Sequence, residues 1–207
     1  MNADSFLDDI RDAHGTELSR LGSSKAVYAL TGGEMEGDAV QTGTARELHA
    51  IASVLREWAA DASDEASDLY AAAADFAATY ADTFDSEAAT EGDDSDSHVV
   101  ADSLATADSA DRPAAMAAAF LVLEEIAGQL VGFFVGDADR THADEFREFR
   151  TELADYRDDA ADLLGDRAES EADRGAAHDV GAGVVEGAYD WYVERLEGMG
   201  VQPKNVC

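Results

Sequence analysis

The sequence predicts an all-α protein, an antiparallel four-helix bundle of the ferritin-like kind with one or two additional helices. Three observations carry this. Apolar residues recur at three- and four-residue steps through most of the 207 residues. No segment shows the strict alternation of a half-buried strand. Only 2 prolines interrupt the chain, and one stands where a helix begins.

A first helix is expected from Ser5, with Asp8 three residues on as its capping partner. Leu7, Ile10, His14, Leu18, Leu21 and Lys25 trace one side of it. Thr31, Gly32 and Gly33 stop it near Leu30. A Gly-rich connection follows, through Gly37 and Gly43, and Thr44 with Glu47 marks the next start. Leu48, Ile51, Leu55 and Trp58 form that helix's apolar face. A kink or break is placed at residues 61–64, after which Leu69, Ala73, Phe76, Tyr80 and Phe84 resume the pattern.

Residues 85–97 are acidic, small and polar, and read as a mobile surface crossover within one domain spanning residues 1–207. A weak helix is expected over residues 98–110. Pro113 opens the most apolar helix, with Met116, Phe120, Leu123, Ala127, Leu130 and Phe134, ending at Gly136. Thr141 and Asp144 are expected to cap the next, which carries Phe146, Phe149, Leu153, Tyr156, Ala160 and Leu163 and ends at Gly165. The last runs from about Glu169 to Gly198. There Gly175, Asp179, Gly183 and Gly187 step by four, a stripe that admits a close neighbour and could serve a homodimer.

Charge sets the environment. The chain has 46 acidic and 14 basic residues, a net charge of −32. Lys25 and Lys204 are its lysines; the other basic residues are arginines. Such charge with few apolar residues means disorder, but 46% of this chain is hydrophobic. The composition therefore predicts a folded core under an acidic shell, adapted to molar salt, where the Debye length falls to about 3 Å. High K+ or Na+ is expected to be needed for folding. A nucleic-acid contact through a basic patch is disfavoured, because the surface repels phosphate. The single cysteine, Cys207, and an N-terminus without a basic region and apolar run imply a reducing, cytoplasmic setting. The apolar stretch at residues 113–136 contains Glu124, Glu125 and Gln129, so a core helix is expected rather than a membrane span.

The chemical motifs are sparse. His14 and Glu17, with Glu124 and Glu125, are candidate metal ligands; an exposed polar pair on an acidic helix is the alternative for the first two. Asp137 and Asp139 lack the ligand count of a calcium loop and read as a turn. Gly181, Gly183 and Gly187 follow no strand and lack dinucleotide-loop spacing. No Gly-x-Ser-x-Gly elbow occurs. No catalytic residue and no cofactor is therefore expected. Ser23, Ser24 and Lys25, and the tail with Gln202, Lys204 and Cys207, are locally less acidic and are candidate contact surfaces for a protein partner.

Residues 69–84 (LYAAAADFAATYADTF) and 149–156 (FRTELADY) resemble the helices of rubrerythrins, within the ferritin-like proteins. Such di-iron bundles take a Glu from each of two helices and Glu-x-x-His from each of the other two. In this chain Ala77 and Leu153 stand at the Glu positions, and Tyr80 and Tyr156 at the His positions. The resemblance thus implies a bundle with vestigial ligand positions, or else a rubrerythrin-like metal protein using other groups. Residues 18–28 (LSRLGSSKAVY), 33–36 (GEME), 132–140 (GFFVGDADR) and 198–207 (GMGVQPKNVC) are similar to a family of haloarchaeal proteins described as rubrerythrin-family or as transcription antitermination proteins. That likeness adds a transcription-associated role, through a protein partner, as a third reading.

Overall fold

The structure is a computed structural model that describes residues 3–84, 97–168 and 170–203. Among these residues the regular secondary structure is all α-helix, with nine helices and no strand. The expected mobility of residues 85–97 concerns a stretch lying almost wholly outside the described residues, as do Lys204 and Cys207.

The expected first helix is three short ones: α1 (Ala3–Ala13), α2 (Gly15–Leu21) and α3 (Ser24–Leu30). Helical spacing had hidden two breaks. Gly15, a poor helix former, follows His14 at the first break. At the second, the Gly22 N–H donates to the Leu18 carbonyl and the Ser23 hydroxyl to the Arg20 carbonyl at 2.6 Å, closing α2. Ser5 lies inside α1 rather than at its cap. The breaks let Leu7, Ile10, Leu18 and Leu21 all reach the core along a curved path.

α4 (Gly37–Asp61) starts seven residues before Thr44. Thr44 does not cap; its hydroxyl donates to the Val40 carbonyl within the helix at 2.8 Å. Gly43 is not linker but a contact point, where a Cβ would lie 2.8 Å from the Leu30 carbonyl oxygen. The break at residues 61–64 is present, and α5 (Glu65–Phe84) runs back along α4. The expected helix over residues 98–110 contracts to α6 (Ala101–Ala105).

α7 (Arg112–Gly136) has the expected bounds, with Pro113 in its first turn. Residues 113–123 are all buried. It packs most extensively on α8 (Arg140–Arg167), and also meets α1, α2, α3, α6 and α9 (Glu171–Gly198). By length and composition alone α7 could cross a membrane; here the other helices bury residues 113–123 in full, while Val135 near its end is exposed. The N-cap of α8 is Asp139, which accepts from the His142 N–H at 3.2 Å, in place of Thr141 and Asp144. Gly165 does not end α8, which continues to Arg167. α9 opens with a capping box between Ser170 and Asp173, close to the expected start. Its expected glycine stripe is realised only at Gly187, where a Cβ would lie 2.8 Å from Ser103 Oγ; Gly175 and Gly183 face open space. A second close approach lies outside the stripe, at Gly181, where a Cβ would lie 2.9 Å from Phe6 and 3.0 Å from Ile10.

The core between the α4–α5 and α7–α8 hairpins is a run of aromatic rings. Phe76 stacks on Phe149 at 5.7 Å, Phe84 on Phe146 at 4.2 Å, and Phe146 on Phe134 at 5.3 Å. Each such pair adds about 1 kcal/mol beyond area burial. At the rim, Arg112 pairs with Asp61 at 3.2 Å and Arg167 with Asp64 at 2.7 Å, adding two exposed ion pairs between the hairpins to this buried ring packing.

Candidate functional site

The candidate metal ligands do not form one site. His14 stands half-buried at the start of α2, with Glu17 in the first turn. Glu124 turns toward α8 and pairs with Arg157, and with Arg150 at 3.5 Å. Glu125 turns the other way, toward α2, where its Oε2 would lie 3.0 Å from a Cβ on Gly22. Burial first, and Glu124 second, push the Glu125 carboxyl above its usual range. Among the described residues no group of three or more His, Cys, Asp or Glu is placed to hold a metal ion.

Tyr80 and Tyr156 lie at the α5–α8 seam, each half-buried against Phe76, at 5.2 and 4.9 Å between ring centroids. The Tyr80 hydroxyl donates to Glu152 Oε1 at 2.7 Å. Burial, then this bond, raise its pKa, so the phenol keeps its proton. Ala77 and Leu153, at the positions of ferritin-like glutamates, are fully buried and carry no donor atom. These four side chains do not fit a di-iron centre.

The two candidate contact segments do come together. Lys25 Nζ donates to the Gln202 carbonyl at 2.8 Å, joining residues far apart in the chain. Beside them Arg20 donates to the Tyr189 hydroxyl, its guanidinium carbon lying 5.5 Å over that ring. Tyr189 stacks on Tyr192 at 5.8 Å, and the Tyr192 hydroxyl reaches the Pro203 carbonyl at 3.5 Å. Burial raises the Tyr192 pKa and keeps it a donor. α2, α3 and the segment after α9 thus form one face that carries both a lysine and an arginine.

Sequence reasoning read Glu47 as marking a helix start and missed its role as a buried, fully hydrogen-bonded carboxylate. Glu47 is only 5% exposed. Its Oε1 accepts from the Val100 and Ala101 N–H groups at 2.9 and 3.1 Å, and its Oε2 from Val99 N–H at 2.8 Å. His98 Nδ1 lies 3.1 Å from the same Oε2. Beside them is a small apolar cavity of about 20 Å³, lined by Leu30, Leu48, Val99, Leu123, Leu130 and Phe149 among others. Such a space holds about one water. A signal for Glu47 did exist: it sits on the apolar stripe of α4, between Thr44 and Ile51, where a carboxylate requires partners.

Comparison of the chain with family models, with curated proteins and with solved structures gives no match.

Proposed function

We propose that this chain is a salt-adapted, cytoplasmic helical-bundle protein that acts through protein contacts rather than chemistry, a ferritin-like framework whose metal ligands have been replaced. One observation carries the contact reading. The Lys25–Gln202 bond brings two locally less acidic segments together, on a chain of net charge −32. Fewer carboxylates there weaken the repulsion between acidic surfaces, which favours approach of a partner at that face.

The framework reading rests on topology and substitution. Two helical hairpins, α4–α5 and α7–α8, are joined by a long connection, as in ferritin-like bundles. Aromatic rings fill the space between them, where a di-iron bundle would carry its ligands.

A photo-crosslinker placed at Lys25 tests the contact reading, with the same group at exposed Asp162 as control, in cell extract at native salt. A discrete crosslinked protein at Lys25 and none at Asp162 is the expected result. The same products at both positions, or none at either, overturn it. Stoichiometric iron, manganese or zinc in the protein purified at native salt overturns the replaced-ligand reading.

A further inference from the structure

We propose that Glu47 and His98 form a pH-responsive latch that docks residues 97–105 onto α4, tighter when His98 carries a proton than when it does not. The geometry is unusual for a helix start. α6 has no side-chain cap of its own at Val100. Its first N–H groups are instead satisfied by Glu47, more than fifty residues earlier on another helix. Four donors converge on one buried carboxylate, and three of them are backbone N–H groups that cannot titrate. His98 is the fourth, and its side chain is 24% exposed, so protons reach it from solvent.

The groups facing His98 favour its cation. Glu47 on α4 and Asp102 on α6 attract it, whereas Arg46 on α4 opposes it. The Glu47 hydrogen bond is the leading cause that raises the His98 pKa above 6.5, against desolvation. The contact from α9 is uncharged, with Trp191 Nε1 donating to the Ser97 carbonyl at 3.1 Å. A histidine with a raised folded pKa adds stability that is fully present below its unfolded pKa. That stability is lost as pH rises through the folded value. The latch is therefore tight in mild acid and looser in mild alkali.

Release is partial. A neutral imidazole still donates through Nδ1–H, and the backbone bonds to Glu47 persist. Buried Val99, Val100 and Leu104 also hold the segment. Val99 lines the apolar cavity, so a looser latch exposes it more often, and the latch sets how firmly residues 97–105 are held on α4.

Amide hydrogen exchange at residues 99–101, corrected for intrinsic rates, tests this in molar KCl. Protection should fall roughly fivefold between about pH 5.5 and about pH 8.5, while amides in the middle of α7 keep theirs. His98→Gln should flatten that dependence while the segment stays docked. Glu47→Gln should lower protection at residues 99–101 at both pH values. If that variant does not fold, the His98 titration in the wild-type protein decides by NMR. A midpoint above about 6.5 supports the latch, and one at or below it overturns the proposal. Protection independent of pH in the wild-type protein, or an unchanged pH dependence in His98→Gln, also overturns it.

Discussion

Tyr80 donates its hydroxyl to Glu152 Oε1 at 2.7 Å, tying α5 to α8. Ten residues earlier on the same helix, the buried Tyr70 hydroxyl has no hydrogen-bond partner among the described residues. The two phenols therefore answer the same substitution in opposite ways. Tyr80→Phe keeps the packing on Phe76 and loses one charge-assisted bond at a half-buried site. We expect it to lower stability by about 1 kcal/mol, measured by chemical denaturation in molar KCl.

Tyr70→Phe removes a buried hydroxyl that is desolvated without compensation and keeps the edge-on contact with Trp58 at 5.3 Å. We expect no loss of stability, and a gain of up to about 1 kcal/mol. The pH dependence has a defined sign. Burial pushes the Tyr70 pKa up to about 12 from an ordinary 10.0. The neutral form it favours contributes stability fully present below pH 10 and lost as pH rises toward about 12. Denaturation midpoints at about pH 9 and about pH 11 should therefore converge in Tyr70→Phe relative to the wild-type protein. An unchanged alkaline loss would sink this account.

Two helical glycines differ in what surrounds them. A Cβ at Gly43 would meet the Leu30 carbonyl oxygen at 2.8 Å and Leu30 Cγ at 3.0 Å. Gly43→Ala must push α3 away from α4, and should cost about 1–3 kcal/mol. At Gly183 nothing lies within 4 Å. Gly183→Ala should raise stability by up to about 1 kcal/mol through helix propensity. Scanning calorimetry of the pair separates close packing from a bare sequence stripe.

Salt should govern the compact state. With 46 acidic residues against 14 basic ones, the shell repels itself once screening weakens. Transfer from about 1 M to about 10 mM salt lengthens the Debye distance about tenfold. We expect loss of helical circular dichroism on that transfer and recovery on adding KCl. An unchanged far-UV spectrum would contradict the salt-adapted reading.

Much of the helix content was legible because its signals are local. Pro113 and Gly136 bound α7, and the polar run at residues 61–64 separates α4 from α5. The N-terminal segment was not legible as three helices. Leu7, Ile10, Leu18 and Leu21 keep helical phase across Gly15, so periodicity alone could not report the break. Likewise, Glu47 looked like a local cap because Glu three residues after Thr44 fits a capping box. Its actual partners lie beyond residue 97.

The candidate site divides in the same way. Lys25 and Gln202 were each singled out by their less acidic surroundings, but nothing in the sequence said that they touch. His14, Glu17, Glu124 and Glu125 were selected by residue type, and the helices turn Glu124 and Glu125 to opposite sides. In a chain so rich in carboxylates, ligand spacing along the sequence arises without any site.

By itself, then, the sequence determined the all-helical character, the most apolar helix and the charge of the surface, since each follows from composition or from neighbours within a few turns. Tertiary structure decided where the carboxylates point, which glycine is pressed against another helix, and that Lys25 meets Gln202 while Glu47 holds residues 98–101. Those outcomes depend on pairing distant segments around α7. That pairing follows from how the whole apolar surface closes on itself, and no local pattern encodes it.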